Sequence, residues 1–99
     1  MKLFVAAAIM ALIPTSAFAD EWSDLVSSSD DYAVYSGVFS DAARHMVTSG
    51  ICSKSDFKEF GGFVKSMNMN SAPVYFVYCG GMTINNRIYV DVSTGRVFK

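Results

Sequence analysis

The spacing of the apolar positions divides the chain into distinct parts. Residues 3–13 (LFVAAAIMALI) form an unbroken apolar run. Over residues 31–49 large apolar residues recur every three or four positions, which predicts an amphipathic helix. They are Tyr35, Val38, Phe39, Ala42, Met46 and Val47. After Pro73 the pattern becomes that of a strand, because residues 74–78 (VYFVY) are all β-branched or aromatic.

Capping residues mark the ends of this first helix. Ser29 or Asp30 is suited to cap its start, and we expect acidic residues in its first turn. Gly50 followed by the apolar Ile51 fits a Schellman ending. The sequence therefore predicts both the beginning and the end of the helix from local signals.

A second, shorter helix is predicted near residues 55–65. The stretch 53–56 (SKSD) resembles a capping box that would open it. Phe57, Phe60 and Val64 then fall on one helical face. Gly61-Gly62 interrupts this pattern, and the alternative is a helix that ends there.

Three strands are predicted, at residues 74–79, 87–92 and 96–98. A two-residue turn at Asn85-Asn86 is expected between the first two strands, because asparagine tolerates positive φ. This turn would pair Thr83 with Ile88. A three-residue loop, 93–95, would join the last two strands with Gly95 in the left-handed conformation.

This register separates two sides of the sheet, because directly paired residues share a face. The side that carries Cys79 must lie under the helices, since Cys79 has to reach Cys52 at the end of the first helix. The members of this side are Val77, Cys79, Ile88, Val90 and Val92. The sequence thus predicts an α+β fold, with two helices packed on one face of a small antiparallel three-stranded sheet and one disulfide.

The N-terminal apolar run has the features of a secretory signal peptide. Lys2 precedes the run, Pro14 ends it, and Ala17-Phe18-Ala19 supplies a small-x-small cleavage pattern. The run has 11 residues, whereas a membrane-spanning helix needs about 20. We therefore expect residues 1–19 to be removed in a bacterial cell, leaving residues 20–99 in the periplasm or the medium without a stable membrane anchor. The alternatives are a retained anchor or a short N-terminal core helix.

Composition restricts the class of protein. With 99 residues, 52% of them hydrophobic, and a net charge of -1, the chain is too apolar for a disordered protein and fits a single domain over residues 20–99. The sequence pI of about 5.6 argues against nucleic acid as a partner bound through bulk positive charge. Residues 20–29 are acidic and serine-rich, and their sequence is compatible with a flexible segment or with docking by Trp22 and Leu25.

Cys52 and Cys79 are the only cysteines, and in an exported chain an even number predicts a disulfide. A redox C-x-x-C pair is absent from the sequence, and one histidine is too few for a metal site beside them. No nucleophile, phosphate-binding or zinc-protease motif occurs either. His45 is interpreted as a solvated residue near a helix end. We therefore predict no catalytic residue, no cofactor and no metal.

The other side of the sheet carries more apolar surface than a solvent-facing sheet needs, and we predict a candidate binding face there. Its candidate residues are Val74, Phe76, Tyr78, Tyr89 and Val97. Met82 and Ile84 are placed on the same side by the predicted register. The alternatives are that Trp22 and Leu25 or the second helix cover this side, or that the chain forms a homodimer there.

Residues 89–98 (YVDVSTGRVF) resemble the end of PepSY-type domains, which close with a V-D-x-x-T-G-x-V hairpin. The resemblance covers this C-terminal segment only. It implies a helix packed on an antiparallel sheet, and a non-catalytic periplasmic module in a family linked to peptidase regulation. The chain departs from the family in its two cysteines and in the very apolar strand at residues 74–78.

These features together favour an exported, non-catalytic periplasmic module that binds another protein. The alternatives are a structural subunit of an envelope assembly, or a small periplasmic enzyme such as a hydrolase.

Overall fold

A computed structural model of the protein describes residues 21–67 and 73–99. The predicted signal peptide, residues 1–19, lies outside the described residues. The described part forms three α-helices and one four-stranded antiparallel sheet with the order β1-β2-β3-β4. The helices are residues 21–25 (α1), Tyr32–Thr48 (α2) and Lys54–Phe60 (α3). The strands are Val64–Lys65 (β1), Val74–Tyr78 (β2), Arg87–Asp91 (β3) and Arg96–Phe98 (β4).

The α+β class is confirmed. The predictions of two helices, of three strands and of a helix reaching residue 65 are wrong, because α1 and β1 were not predicted. Helix α3 ends at Phe60 because Gly61 adopts a φ of 87°. Val64, predicted on the face of that helix, lies in β1 opposite Phe76. A two-residue strand is too short to show an alternation in the sequence, which is why β1 was not predicted.

Two of the three predicted helix ends are confirmed. At the end of α2 the Ile51 N–H donates to the Met46 carbonyl at 2.8 Å and the Gly50 N–H donates to the Val47 carbonyl at 3.2 Å, which is a Schellman motif. Ser53 and Asp56 form the capping box of α3.

The predicted start of α2 is wrong. Its N-cap is Asp31 with a φ of 56°, no side chain caps it, and its first turn holds no acid. Ser29 and Asp30 bond elsewhere, to the segment that leads into β1. The Asp31 carboxylate accepts a hydrogen bond at 2.5 Å from the hydroxyl of Tyr75. Burial and this bond raise the pKa of the Tyr75 hydroxyl.

Residues 28–30 lie beside residues 62–65, which lead into and form β1, and the Asp30 carboxylate accepts the Lys65 N–H at 2.9 Å. The Gly62 and Phe63 N–H groups donate to the hydroxyls of Ser28 and Ser29, at 3.1 and 2.7 Å. The Asp30 N–H donates to the Phe63 carbonyl at 2.8 Å. A Cβ at Gly62 would lie 2.2 Å from the Ser29 hydroxyl oxygen, so the close approach requires glycine. The segment therefore satisfies backbone groups that an open sheet edge would expose.

The connection between β2 and β3 differs from the prediction. Val77, not Thr83, lies opposite Ile88, so the Asn85-Asn86 turn is wrong. Residues 79–86 form a longer loop that ends in a 3₁₀ turn, Ile84–Asn86. The shift of the partner from residue 83 to residue 77 is an even number of residues, so the side chains of β2 and β3 keep their predicted sides of the sheet.

The hydrophobic core lies between the helices and one side of the sheet. Phe39 of α2 is fully buried, stacks on Phe63 at a centroid distance of 4.7 Å, and meets the edge of Tyr75 at 5.1 Å. Val26, just after α1, is also fully buried. The sheet contributes Tyr75, Val77, Ile88 and Val90, and Val92 follows β3.

The predicted disulfide between Cys52 and Cys79 is confirmed. It joins the segment between α2 and α3 to the residue after β2. The Asp56 carboxylate reinforces this link, because it accepts the Ser53 N–H at 2.9 Å and the Gly80 N–H at 3.1 Å. One side chain thus bridges the residues that follow both cysteines.

Candidate binding face

The side of the sheet opposite the helices carries a cluster of aromatic and charged side chains, which we call the aromatic face. Its composition follows from the observed register, in which Phe76 lies opposite Tyr89 and Tyr89 opposite Phe98. The members of the aromatic face are Val64, Val74, Phe76, Tyr78, Arg87, Tyr89, Asp91, Arg96 and Phe98.

Four of the five predicted candidates lie on this face, and Val97 does not. Val97 pairs with Val90 on the helix-covered side and packs against the core. The loop before β4 holds four residues, 92–95, because Asp91 pairs with Arg96. The predicted loop held three, and a one-residue difference exchanges the two sides of a strand. Phe98 takes the place that was predicted for Val97. Gly95 has the predicted left-handed conformation, with a φ of 79°.

Met82 and Ile84, also predicted on this side, lie in the loop between β2 and β3. Their exposed fractions are 64% and 72%. The Cys79 N–H donates to the Asn86 carbonyl at 2.9 Å, so the loop is closed at its base. The two side chains therefore belong to the loop and not to the aromatic face.

Three rings form a row across three neighbouring strands. Phe76 on β2 lies 6.0 Å from Tyr89 on β3, and Tyr89 stacks on Phe98 of β4 at 5.5 Å with an interplanar angle of 16°. Tyr78 extends the cluster along β2, 5.4 Å from Phe76 in an edge-to-face arrangement. Aromatic pairs at these separations are favourable, so the rings hold one another in place.

An arginine covers each end of this row. The Arg87 guanidinium carbon lies 4.1 Å from the centre of the Phe76 ring, and Arg96 lies 4.4 Å from the centre of Phe98. Both distances are within the range of cation–π attraction. Arg87 also donates through Nη2 to the Tyr78 hydroxyl at 3.0 Å, and this bond raises the pKa of the Arg87 guanidinium.

The arginine cover explains the exposure of the face. Phe76 is only 6% exposed although the helices pack on the other side of the sheet, because Arg87 lies over its ring and the rings of Tyr78 and Tyr89 flank it. Tyr78, Tyr89 and Phe98 are half-buried. Trp22 and Leu25, which the sequence offered as an alternative cover, pack against the core instead.

Neither guanidinium group forms an ion pair with an acid among the described residues. In the part of the chain that the structure describes, the ion pairs are Arg44 with Asp41 and Lys54 with Glu21. Asp91 is the one carboxylate of the aromatic face. It accepts hydrogen bonds from the N–H and hydroxyl of Ser93 at 2.9 and 2.6 Å, which lower the pKa of Asp91. The face is therefore net positive.

Two open cavities lie away from this face. One, of about 450 Å³, lies between α1 and α3, with Glu21 and Lys54 among its lining residues. The other, of about 500 Å³, lies between α2 and the loop before β4, with His45 and Ser93 among its lining residues. His45 is exposed there, and no hydrogen bond joins its imidazole to a nucleophile among the described residues.

One group of described residues has its possible metal-ligand atoms close together, but it does not form a metal site. The ligand atoms of Cys52, Asp56 and Cys79 lie within 4.8 Å of one another. Both sulfur atoms are bonded in the disulfide, and a metal ligand would have to be a thiolate. The Asp56 carboxylate is already used by two backbone N–H groups.

Comparison of the chain with models of known protein families, with curated proteins and with solved structures gave no match. The resemblance to PepSY-type domains therefore stays a prediction from residues 89–98. A functional assignment has to rest on the geometry of the aromatic face.

Proposed function

We propose that this chain is an exported, non-catalytic module that binds a partner protein through the aromatic face. The observation that carries the proposal is the row of three rings with an arginine over each end. Aromatic residues and arginine are the residue types that dominate the binding energy of protein interfaces. The rings are already ordered by one another, so binding would cost little side-chain entropy.

Export is supported by the disulfide, because such bonds persist in oxidising compartments. It is also supported by the N-terminal pattern of residues 1–19. No helix in residues 21–67 and 73–99 has both the length and the apolar character that crossing a bilayer requires. We place the module in the bacterial periplasm or in the medium.

The proposal is tested by capture of partners from the native cell envelope with the tagged, exported protein. The variant is Tyr89→Ser, which removes the central ring of the row. The matched control is Val34→Ser, since Val34 is 72% exposed on α2, away from the aromatic face. We expect the protein and the control to retain the same partner, and Tyr89→Ser to lose about 2 kcal/mol of binding free energy, roughly 30-fold in Kd.

Thermal unfolding of each variant is measured beside the capture, because a loss of binding has meaning only for a folded protein. Equal capture by the protein, by Tyr89→Ser and by Val34→Ser would contradict the proposal.

A further inference from the structure

We propose that the aromatic face binds an extended acidic segment of the partner, with an apolar side chain over Tyr89 and a carboxylate at each of Arg87 and Arg96. This inference rests on the proposed function and specifies the chemistry of the partner.

The charge of the face favours an acidic ligand. In the described part of the chain, neither Arg87 nor Arg96 lies in an ion pair. A guanidinium has five N–H donors. Arg87 uses its Nε and one Nη for the hydroxyl of Tyr78, and Tyr89 is a second side-chain hydrogen-bonding partner. The remaining donors fit a carboxylate, which accepts two parallel hydrogen bonds from an arginine.

The nearest acid of the face does not fill this role. Asp91 belongs to the turn that follows β3, where Ser93 supplies two of its hydrogen bonds. It pairs across the strands with Arg96 in register, yet no oxygen of Asp91 lies within ion-pair distance of that guanidinium. Asp91 therefore attracts Arg96 only at longer range, and an outside carboxylate can still pair directly with that guanidinium.

The spacing of the row fits an extended peptide. Phe76 and Phe98 lie on strands separated by β3, so they are roughly 10 Å apart, with a guanidinium over each of them. In an extended peptide the side chains of one face are two residues apart, and carboxylates four residues apart span roughly 13 Å. The pattern acid–x–apolar–x–acid therefore places its central side chain over Tyr89 and its acids at the two arginines.

The test uses the purified exported protein and a fluorescent heptapeptide with glutamate at its second and sixth positions and leucine at its fourth. Fluorescence anisotropy should show saturable binding. Arg96→Glu and Arg87→Gln should each weaken it about tenfold. Arg96 is exposed, so its variant should leave the fold intact. The matched control is Arg44→Glu, which makes the same charge change on α2 and should alter the Kd less than about twofold.

A second peptide of the same composition, with its glutamates at the second and fifth positions, sets its acids on opposite sides of the extended chain. We expect it to bind about tenfold more weakly than the first. Equal binding of the two peptides, or equal loss in the Arg44→Glu and Arg96→Glu variants, would overturn the inference in favour of unspecific charge attraction.

The result also separates this inference from the proposed function. If the first peptide does not bind while Tyr89→Ser abolishes partner capture, the acidic segment is wrong and protein binding stands. If the peptide does not bind and Tyr89→Ser captures the partner normally, both are wrong. Binding of polygalacturonate or phosphatidylglycerol vesicles that depends on Arg96, without peptide binding, would overturn the inference in favour of an anionic glycan or lipid surface.

Discussion

Two neighbouring residues on opposite sides of the sheet are both buried, for different physical reasons. Tyr75 and Phe76 are neighbours on β2, and their exposed fractions are 2% and 6%. Tyr75 is buried by other elements, since its ring meets Phe39 of α2 and its hydroxyl donates to Asp31. Phe76 is buried by its own sheet, since the guanidinium of Arg87 lies over its ring.

This difference shows that a side chain in a small domain can have a low exposed fraction for two different reasons. A side chain covered by distant helices belongs to the packed core, and truncating it leaves a cavity. A side chain covered by a long arginine of the same sheet is shielded by a group that can change rotamer. The first kind of burial stabilises the fold, whereas the second keeps an aromatic surface on the outer side of the sheet.

The largest effect is expected in the core. Phe39→Ala should lower the free energy of unfolding by about 3–5 kcal/mol, because Phe39 is fully buried between Phe63 and Tyr75. Urea unfolding followed by circular dichroism measures this loss. A loss below about 1 kcal/mol would show that the helices do not cover this side of the sheet as tightly as the structure describes.

A smaller, pH-dependent loss of unfolding free energy is expected for a substitution of Tyr75. Tyr75→Phe should cost about 1–2 kcal/mol at neutral pH, since it removes the hydrogen bond to Asp31. The pKa of Tyr75 is raised in the folded protein, so its contribution is present below the ordinary tyrosine value near 10 and is lost as the pH rises beyond it. Urea unfolding at pH 7 and above pH 10 should therefore show a steeper alkaline loss for the unmodified protein than for Tyr75→Phe. Parallel pH profiles of the two would contradict the burial of this hydroxyl.

The smallest effect on stability is expected on the aromatic face. Tyr89→Ser should cost about 1 kcal/mol, because Tyr89 is half-buried and loses mainly its stacking on Phe98 and its contact with Phe76. Thermal and urea unfolding compare it directly with Phe39→Ala. If the two substitutions destabilise the protein equally, the aromatic face is a second core and the distinction between the two sides fails.

The two hairpins show how far the sheet could be predicted from the sequence. The predicted β2–β3 register misplaced the partner of Ile88 by an even number of residues, so the core side was still assigned correctly. The predicted loop before β4 was one residue too short, so Val97 and Phe98 exchanged sides. Alternation alone predicts which residues share a face within one strand, but the loop length decides how two strands are matched.

The aromatic face could be predicted in part, because alternation assigns the residues of one strand to one side of the sheet. Phe76, Tyr78 and Tyr89 were assigned from alternation within β2 and β3. The roles of Arg87 and Arg96 were not predicted, because a charged residue on an outward strand position is usually solvated. The contact of each guanidinium with a ring depends on strand pairing and on side-chain conformation, neither of which leaves a pattern in the sequence.

The sequence by itself determined the features whose partners are a few residues apart: the Schellman ending at Gly50, the capping box at Ser53 and the left-handed Gly95. It also determined the disulfide, because only two cysteines are present. The tertiary structure decided the features whose partners are distant. Residues 28–30 do not cap α2 but lie along β1, and residues 64–65 are a strand only because Phe76 and Tyr75 lie opposite them. Local hydrogen bonds are encoded by neighbouring residues, whereas edges, registers and covered surfaces depend on which distant segments fold against each other.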